Sequence, residues 1–472
     1  MNFSLGTTFE AFKKDFYSKS KDFSLYDCGN INIIKVVLDG LKVNYISKGK
    51  LRVPFFYPDV AWNFVQFAQR RRNPLKKELK ENKSARILIA DLSGRSETIK
   101  NNIPESFYFD KLLSEHKTEE YVHVVEYFKT EGYPHHIDFR NYVNLQYLPL
   151  TLYEKELRKN LLTTYKKIEN SKAFNVAELS NIQIAIQSFF CQFKIWNELL
   201  TSMPSLKYSV IEQHYHHEGL LLALKKNNIK SYEIQHGLIS ESDIFYVFPK
   251  GISSIKNKAL FPDKILVYGN YWKDVLLKGG EFGENDIVVT GDFRKKNNSL
   301  QKPGEEKIIK EFISDYNIIL ISSQTFMHEY YDTYTKWLSE LLGNKHKDWK
   351  IILKLHPNEK EENYTFISNL PNVLISKSNI LYLFAISKIH ISVYSTTLYD
   401  ALEYKLANFS LTNEAFKDYT QNIVFDKVAI SIDSDEDPVS KFEKVSGNSS
   451  LIDSNYVYSG FSGNIYKNLF LN

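Results

Sequence analysis

The chain has 472 residues, which is enough for about two or three domains and a large buried core. Apolar residues make up 43% of the sequence and charged residues 25%. These are the proportions of globular proteins, so a wholly disordered chain is excluded. The formal net charge of +4 is too small to indicate a nucleic-acid-binding surface. Aromatic residues reach 14%, which predicts either thick cores or platforms on which rings stack.

The cysteines and the apolar runs predict a cytoplasmic protein. Only Cys28 and Cys191 occur, which fits a reducing compartment and supplies neither a disulfide framework nor a zinc spacing. No run reaches the roughly 18 apolar residues of a spanning helix, and the first residues lack the pattern of a signal peptide. An aromatic segment near Trp62 leads into a basic cluster, a combination that can sit on the anionic inner face of the plasma membrane; a solvated charge run beside a core helix is the commoner interpretation of such a pattern. The cluster comprises Arg70, Arg71, Arg72, Lys76 and Lys77.

The first half of the chain combines strand patterns with a long helical stretch. Residues 86–90 predict a short buried strand, and residues 123–128, rich in β-branched and aromatic side chains, predict another. Between 151 and 200 apolar residues recur at helical spacing. A compact β-α-β unit follows, with a strand at 208–212, a helix at 217–227 and a strand at 231–235.

The second half alternates strands and helices more regularly. This alternation predicts an α/β fold with a parallel sheet covered on both faces. The strand candidates are 264–268, 287–290, 317–322, 349–354 and 390–393, with weaker ones at 373–375 and 409–411.

Breaker residues divide the chain into predicted domains. Proline and glycine at 248–251 and 261–262 place a boundary near residue 255. We therefore expect an N-terminal domain at 1–255, a second domain at 256–432 and a tail at 433–472 that packs back on the body. A further punctuated stretch at 295–304 predicts a surface loop within the second domain.

Polar residues follow several strands at the edge where parallel sheets bind ligands. Ser322 ends one strand and Ser323 follows it. Lys354 ends the next strand, and His356 and Pro357 come after it. Ser395, Thr396 and Thr397 directly precede a predicted helix at 398–403. Hydroxyls and free N–H groups at a helix start can hold a phosphate, although plain helix capping uses the same residues. An imidazole at such an edge can donate a hydrogen bond to a phosphate oxygen. Together these loops predict a phosphate site.

The first half has polar strand ends of its own. Gln235, His236 and Gly237 end a strand, and the glycine permits a turn that leaves His236 exposed; a buried polar turn is the alternative. Asp91 also ends a strand and is a candidate general base, with a local turn through Ser93 and Gly94 as the alternative. The histidines at 214, 216 and 217 lack the carboxylate spacing of metal enzymes, so no metal site is predicted. Among strand-end aromatics, the candidate ring platforms are Tyr268, Phe293, Phe326 and Tyr394.

The order of these motifs resembles a known family. The segments 233–239, 289–291, 354–357 and 395–402 together resemble bacterial surface-polysaccharide glycosyltransferases of the GT-B fold, above all capsule polysaccharide biosynthesis proteins. The His-Pro and Ser/Thr pair is similar to that of bacterial sialyltransferases and Kdo transferases. The resemblance covers roughly residues 205–415. It implies two Rossmann-like domains facing each other across a cleft, with the nucleotide held by the C-terminal one.

The resemblance also implies roles for individual residues. His356, Ser395 and Thr396 would contact the donor phosphate, and His236 would lie on the cleft wall. Asp400 stands where the family commonly has a glutamate that binds the ribose. Glu403 is the second candidate for that role. Lys405 stands where glycine is frequent in the family. The catalytic candidates are Asp91, His236 and His356. The binding candidates are Gln235, Gly237, Gly291, Ser322, Ser323, Lys354, Pro357, Ser395, Thr396, Thr397, Asp400 and Glu403.

The expected activity is transfer of a sugar from a nucleotide-activated donor to a growing surface polysaccharide or lipopolysaccharide. A CMP-linked sialic acid or Kdo is the favoured donor, and the reaction is expected to be inverting and independent of metal ions and cofactors. The two Asp-x-Asp matches lie in the polar stretch 433–437, where a solvated acidic run is the preferred interpretation. The alternatives are a CDP-glycerol-type glycerophosphotransferase, a nucleotide-sugar 2-epimerase and a non-catalytic polysaccharide-assembly protein.

Overall fold

The computed structural model describes most of the chain after residue 147 and parts of it before. The described residues are 9–19, 22–46, 84–91, 96–100, 103–106, 108–109, 111, 114, 120–125, 136–138, 148–241, 243–247, 260–279, 282–294, 305–325, 327–357, 359–367, 369–413, 417–445 and 451–471. The predicted basic cluster at 70–77 lies outside them. Among the helices within these ranges, none combines the length and the apolar character needed to cross a bilayer.

The strands and helices are numbered in chain order within the described residues. The strands are β1 (Asp27–Cys28), β2 (Ile31–Asn32), β3 (Ile87–Asp91), β4 (Ser96–Lys100), β5 (Ile103–Ser106), β6 (Tyr121–Val125), β7 (His136–Asp138), β8 (Tyr208–Ile211), β9 (Lys230–Ile234), β10 (Lys264–Val267), β11 (Ile287–Val289), β12 (Asn317–Ser322), β13 (Trp349–Lys354), β14 (Val373–Ser376), β15 (Ile389–Ser392), β16 (Ala407–Thr412) and β17 (Ile430–Asp433). The helices are α1 (Phe9–Lys19), α2 (Ile34–Ile46), α3 (Leu152–Asn170), α4 (Val176–Thr201), α5 (Glu218–Lys226), α6 (Asn270–Gly279), α7 (Glu305–Ile313), α8 (His328–Lys345), α9 (Ile380–Ala385), α10 (Thr397–Asp400), α11 (Lys417–Phe425), α12 (Pro438–Val445), α13 (Ser454–Val457) and α14 (Gly463–Leu471).

The chain forms two compact units. The N-terminal unit consists of residues 6–295 and 459–472, and the C-terminal unit contains residues 296–458. Each unit contains one large parallel sheet. The predicted fold class, α/β with two Rossmann-like parallel sheets flanked by helices, is confirmed.

The main sheet of the N-terminal unit has seven strands in the order β11-β10-β9-β8-β3-β6-β7. Every neighbouring pair is parallel. The chain first builds outward from β3 through β6 to β7, and then returns to the other side of β3 with β8. The strand order therefore reverses between β3 and β8, which is a topological switch point.

Two long helices belong to the same unit. Helix α3 begins at a capping box of Thr151 and Glu154, and α4 begins at one of Asn175 and Glu178. In each box the side chain of the first residue accepts a hydrogen bond from the backbone of the second, and the glutamate accepts one in return. These sequence signals fix where the helices start. Helix α4 packs against both α2 and α5.

The C-terminal unit has a six-stranded sheet in the order β14-β13-β12-β15-β16-β17. All neighbouring pairs are parallel. Along β12, Ile318 and Leu320 belong to one hydrophobic core, whereas Ile319 and Ile321 belong to the other. Because both faces are buried, the strand reads as a continuous apolar run. The switch point of this sheet lies between β12 and β15.

The pairing of β10 and β11 corrects the predicted domain boundary. Both strands were expected to lie in the second domain, but β10 pairs with β9 and β11 pairs with β10 in the first sheet. The two units divide between residues 295 and 296, inside the stretch predicted as a surface loop, rather than near residue 255. The predicted tail at 433–472 is also divided, because residues up to 458 belong to the C-terminal unit. Alternation along the sequence predicts parallel strands but not which sheet they join.

Candidate functional site

The candidate site lies at the switch point of the C-terminal sheet. Ser322 ends β12, and the segment 394–396 follows β15, so both loops leave neighbouring strands at the same edge. The amide N–H of Tyr394 donates to the side-chain oxygen of Gln324 at 3.0 Å, which ties the two loops together. Open parallel sheets bind ligands at this position.

A chain of hydrogen bonds runs from this edge into the core. The Ser322 hydroxyl lies 2.7 Å from Oγ1 of Thr397 and 2.9 Å from Nε2 of His390. Nδ1 of His390 lies 2.8 Å from Oδ1 of Asn408. The Asn408 amide nitrogen donates to the carbonyls of Leu398 at 2.6 Å and Val428 at 2.9 Å. This fixes the amide orientation, so its oxygen accepts from Nδ1–H of His390.

The direction of this chain follows from the charge of His390. Burial lowers the pKa of His390 to about 4, so the ring is neutral near pH 7. Since its Nδ1 carries the proton, its Nε2 is an acceptor. Ser322 therefore donates to His390 and accepts from Thr397, whose hydroxyl proton is used in that bond.

The His-Pro loop is anchored by a buried carboxylate. The backbone N–H of His356 donates to the Ser323 hydroxyl oxygen at 2.9 Å and to Glu359 at 3.2 Å. Glu359 also accepts the hydroxyl of Ser323 and, at 3.0 Å, that of Tyr364. The loop is thereby fixed to the end of β12, with the His356 side chain half-buried and Pro357 exposed. The nearby Lys354 donates its ammonium group to the Leu355 carbonyl at 2.8 Å.

The loop after β15 offers donors for an anion. Ser395 and Thr396 are half-buried, and no hydrogen bond from their backbone N–H groups is found within the described residues. The N–H of Thr397 instead donates to the Ser395 hydroxyl at 3.2 Å. The predicted helix at 398–403 is α-helical only as α10, and residues 401–404 continue as a 3-10 turn. Because α10 is only one turn long, its dipole is small, and an anion at this loop would be bound mainly by local N–H and hydroxyl groups.

Two further predicted residues lie in the same unit. Asp400 is buried, with 9% of its surface exposed, and accepts the Tyr458 hydroxyl at 2.7 Å. Glu403 is exposed on the 3-10 turn. Lys405 has φ of +56° and ends that turn in the left-handed conformation. The glycine frequent at this position in the resembling family therefore has a conformational explanation.

Five of the predicted site residues lie in the N-terminal unit. Gln235 is buried, donates to the Gly237 carbonyl at 2.9 Å and accepts the Tyr268 N–H at 3.0 Å, so it braces β9 against β10. His236 is half-buried, and its Nε2 lies 2.8 Å from the Tyr215 hydroxyl. Asp91 is 4% exposed, 3.5 Å from Nε2 of the buried His123. Ser93 and Gly94 lie outside the described residues.

Gly291 follows β11 and therefore lies in the N-terminal unit rather than with the C-terminal loops. Its φ is +83°, and a Cβ added there would lie 2.2 Å from the carbonyl oxygen of Gly460. The Asp292 N–H donates to the Ser459 carbonyl at 3.0 Å. The segment at 459–461 thus covers Gly291, which explains the glycine by close packing.

The candidate ring platforms separate into core and edge residues. Tyr268 and Phe293 are 1% and 2% exposed and pack on each other with centroids 5.2 Å apart, so they belong to the core. Tyr394 is half-buried and stacks on Tyr419, with centroids 4.6 Å apart. Phe326 lies outside the described residues.

Sequence reasoning missed the residues that anchor the site. Glu359 stands three positions after His356, and a carboxylate at that spacing can close the turn by accepting the His356 N–H, so the signal was present in the sequence. His390 and Asn408 lie inside apolar strands, where a polar residue indicates a buried hydrogen-bond network. Among the described residues no group of three potential ligands is arranged to hold a metal ion. Of the three neighbouring histidines, His214 contacts Glu233 and His216 contacts Asp39.

Comparison with known proteins gives similarity of fold alone. No family model matches the sequence, and no curated protein matches it. The UDP-GlcNAc 2-epimerase from Neisseria meningitidis bound to UDP-GlcNAc is 12% identical, with a TM-score of 0.48 over 82% of this chain and 99% of that one. A glycosyltransferase from Rickettsia africae is 15% identical, with a TM-score of 0.45 over 82% and 97% of the two chains. A wall teichoic acid polymerase soaked with CDPG is 12% identical, with a TM-score of 0.43 over 88% and 97%. At this level of identity and with these TM-scores, the similarities assign neither an activity nor a substrate to this chain.

Proposed function

We propose that this protein is an enzyme that transfers a glycosyl group from a nucleotide-activated sugar, and that its C-terminal unit binds the donor phosphates. The observation that carries the proposal is the linked set of loops at the switch point between β12 and β15. Ser322 and Ser323 join the loop of Thr397 to the loop of His356 through hydrogen bonds of 2.7 and 2.9 Å. Parallel sheets of this topology bind nucleotides at this edge.

The chemistry of the edge suits a departing phosphate. When a sugar leaves a nucleotide, negative charge develops on the phosphate oxygen that it leaves behind. Backbone N–H groups of Ser395 and Thr396, together with their hydroxyls, are donors of the kind that stabilise such charge. His356 supplies an imidazole that can donate to an oxygen or protonate it. The protein groups thus take the role that a metal ion has in other transferases, and the rate is expected to be unchanged by EDTA.

The finer substrate assignment rests on the motifs. The His-Pro and Ser/Thr pair resembles that of sialyl and Kdo transferases, so a CMP-linked donor, an inverting reaction and a surface-polysaccharide or lipopolysaccharide acceptor are proposed. Cytidine nucleotides are therefore expected to raise the melting temperature most in a panel of CMP, CDP, UDP and GDP. A rise with UDP or GDP alone would contradict the cytidine assignment.

Two substitutions test the phosphate site. His356→Ala and Thr396→Val are each expected to weaken binding of the stabilising nucleotide about 10- to 100-fold, since each removes a hydrogen bond to a charged group. The control is Thr333→Val. Thr333 lies on α8 rather than at a strand end, and its hydroxyl donates to the Glu329 carbonyl at 2.8 Å. Isothermal titration of the full chain measures the affinities. Unchanged affinity in both site variants would contradict the proposed phosphate site.

Product analysis separates this proposal from its rivals. Incubation with CMP-, UDP-, GDP- and CDP-linked donors is expected to release nucleotide and lengthen an oligosaccharide acceptor, as seen by mass spectrometry. Transfer of phosphorus to the acceptor, visible by phosphorus NMR, would indicate a glycerophosphotransferase. A changed sugar with no free nucleotide would indicate an epimerase. Tight nucleotide binding without any product would indicate a non-catalytic protein.

A further inference from the structure

One face of helix α3 in the N-terminal unit is strongly basic. Its residues recur every three or four positions, so their side chains form one stripe along the helix. They line an open groove of about 450 Å³, together with Leu150, which precedes the helix. We name these residues the α3 stripe: Lys155, Arg158, Lys159, Leu162, Thr163 and Lys166.

The packing of α3 exposes this stripe. On the opposite face of the helix, Leu157, Leu161 and Ile168 are buried in the core. Every residue of the α3 stripe is exposed, and Leu162 in the middle of the stripe has 56% of its surface exposed. Because the apolar face of α3 is held against the protein, the basic face is the one that a partner can reach.

Neighbouring carboxylates do not balance the positive charges of the stripe. Within the described residues, none of its four cations forms an ion pair. The buried Glu154 on the same helix pairs with Lys194 at 3.2 Å and caps the start of α3. Glu156 and Glu169 are exposed on α3, but neither lines the groove. Solvated helix faces commonly alternate charges of both signs, whereas a groove lined by one sign attracts ligands of the opposite sign.

The exposed positive charge forms a line rather than a broad patch. Lys155 and Lys166 are separated by about 16 Å along the helix axis, at 1.5 Å per residue. Helix α4 packs against α3, and its one basic residue, Lys194, is fully buried. The basic surface is therefore one helix wide at this point, which matches a ligand whose own charges lie along a chain.

Two other kinds of anionic partner fit the stripe less well. A helix that binds a bilayer inserts its apolar face into the interface, but the apolar face of α3 is buried in the protein. Single-stranded nucleic acids stack their bases on aromatic side chains, and the α3 stripe has none. A linear polyanion without bases is the ligand that the shape and the charge of the groove favour.

We propose that the α3 stripe binds an acidic polysaccharide chain. The nature of that chain rests on the proposed function, since repeated transfer of sialic acid or Kdo, each of which has a carboxylate, yields a polymer with a negative charge on every added sugar. The four cations pair with carboxylates along the chain, and Leu162 contacts the C–H groups of a sugar ring between them. Binding of this kind needs the N-terminal unit alone.

Polymer binding tests the stripe without any donor. Fluorescently labelled polysialic acid is titrated with the full chain and followed by anisotropy, with labelled dextran of the same length as the uncharged control. Polysialic acid is expected to bind and dextran is not. The affinity is expected to fall at least about 10-fold between about 50 and 200 mM NaCl, because salt screens the charges and competes with the cations. Equal affinity for the two polymers would overturn the proposal.

Removal of charge from the stripe is compared with the same removal elsewhere. The site variant combines Arg158→Gln, Lys159→Gln and Lys166→Gln. The control variant replaces three exposed lysines outside the stripe: Lys207→Gln, Lys345→Gln and Lys347→Gln. Each variant loses three positive charges, so the formal net charge falls from +4 to +1 in both.

The two variants have different expected affinities. The site variant is expected to bind polysialic acid at least about 10-fold more weakly than the wild type at low salt, because three direct charge contacts are lost. The control is expected to stay within about twofold, since distant exposed charges are screened. Melting temperatures of both variants show that the fold is retained. An equal loss in the two variants would mean that overall charge attracts the polymer, and would overturn the proposal.

Competition identifies the class of anion. Vesicles of phosphatidylcholine and phosphatidylglycerol in equal amounts, and a single-stranded thymidine oligonucleotide, are each added to the complex with labelled polysialic acid. Neither is expected to displace the polymer at an equal concentration of negative charge. Displacement by either one, together with loss of its binding in the site variant, would show that the stripe is a lipid or nucleic-acid surface and that the proposal is wrong.

The outcome is separable from that of the proposed function. If the wild type transfers a donor and the site variant binds polysialic acid as tightly as the wild type, the assignment of the stripe is wrong while the proposed function stands. If no donor is turned over but the site variant alone loses the polymer, the proposed function fails while the stripe is supported as a surface for an acidic polysaccharide.

Discussion

The Ser322 hydroxyl connects the candidate phosphate site to the core of its unit. It donates to His390 and accepts from Thr397 because His390 is neutral and its Nδ1–H is committed to Asn408 at 2.8 Å. Protonation of His390 would reverse this chain, since Nε2 would then donate to Ser322. The Thr397 hydroxyl would in turn be free to donate at the edge of the sheet. A buried residue thus sets which hydroxyls can act as donors.

At acid pH we expect His390 to make the protein less stable. In the unfolded chain its pKa is near 6.5, whereas burial holds it at about 4 in the folded protein. The unfolded state therefore binds more protons between these values, so stability is full above pH 6.5 and falls as the pH drops toward 4. The difference corresponds to about 3 kcal/mol.

His390→Gln isolates this effect. At pH 7 the variant is expected to melt below the wild type, because the hydrogen bonds to Ser322 and Asn408 are lost or weakened. The gap between the two melting temperatures should narrow from pH 7 to pH 4.5. His217 has the same sign of pH dependence and is present in both proteins, so it cancels in the comparison. A gap that stays constant with pH would contradict the argument.

At the scale of elements, the strands follow directly from their sequence patterns. The predicted strands at 317–322 and 349–354 coincide with β12 and β13, and the strand at 390–393 differs from β15 by one residue at each end. These strands are apolar on both faces and bounded by polar residues, so the local pattern is sufficient. The short strands β7 and β17 were missed, because three or four residues with charged neighbours carry little pattern.

The segment at 459–461 can approach position 291 this closely only because glycine has no side chain. Gly291→Ala is expected to destabilise the protein by about 2 kcal/mol or more, since the new Cβ meets backbone and φ is +83°. Thermal melting of the full chain measures the loss, and faster proteolytic cleavage within 459–472 is expected to accompany it.

Gly343 provides the opposite case. It lies in α8, and a Cβ added there would meet nothing within 4 Å. Gly343→Ala is therefore expected to raise stability by up to about 1 kcal/mol, the difference in helix propensity between the two residues. If Gly291→Ala were as well tolerated as Gly343→Ala, the close approach of 460 to 291 would be refuted.

At the scale of the whole molecule, the chain leaves the N-terminal unit at 295 and returns to it at 459. The returning segment ends in α14, where Phe470 is 5% exposed. Its ring packs edge-on against Tyr208 and Tyr232, with centroids 5.4 and 5.5 Å away. The Tyr232 hydroxyl donates to the Leu469 carbonyl at 3.1 Å. The last residues of the chain therefore complete the core beside β8 and β9.

Loss of the Phe470 ring should destabilise the N-terminal unit. Phe470→Ala is expected to lower the free energy of unfolding by about 3 kcal/mol, the usual cost of removing a buried aromatic ring. Urea unfolding followed by circular dichroism measures it. On the same helix Ile465 is 41% exposed, so Ile465→Ala should change stability by less than about 0.5 kcal/mol. Equal effects of the two substitutions would show that α14 does not bury its Phe470 face.

The sequence by itself determined the positions of most strands, the parallel α/β class and the polar residues at the strand ends. Those features are local, since hydrophobic periodicity and turn chemistry act over a few residues. The loops of Ser322, His356 and Ser395 could be predicted to meet because consecutive parallel strands end at one edge. The residues that fix these loops, such as Glu359 and Asn408, were not predicted, because their positions in the sequence indicate a turn or a buried polar group but not which distant group each one contacts.

Only the tertiary structure decided which sheet β10 and β11 join, since parallel pairing links strands through long crossovers that leave no local signal. It also decided which carboxylate each paired histidine contacts. Asp39 and His216 are separated by 177 positions, and their contact follows from the packing of α2 against α4 and of α4 against α5. Sequence patterns place side chains along the chain, whereas burial and pairing, which set their protonation and orientation, arise when distant segments pack together.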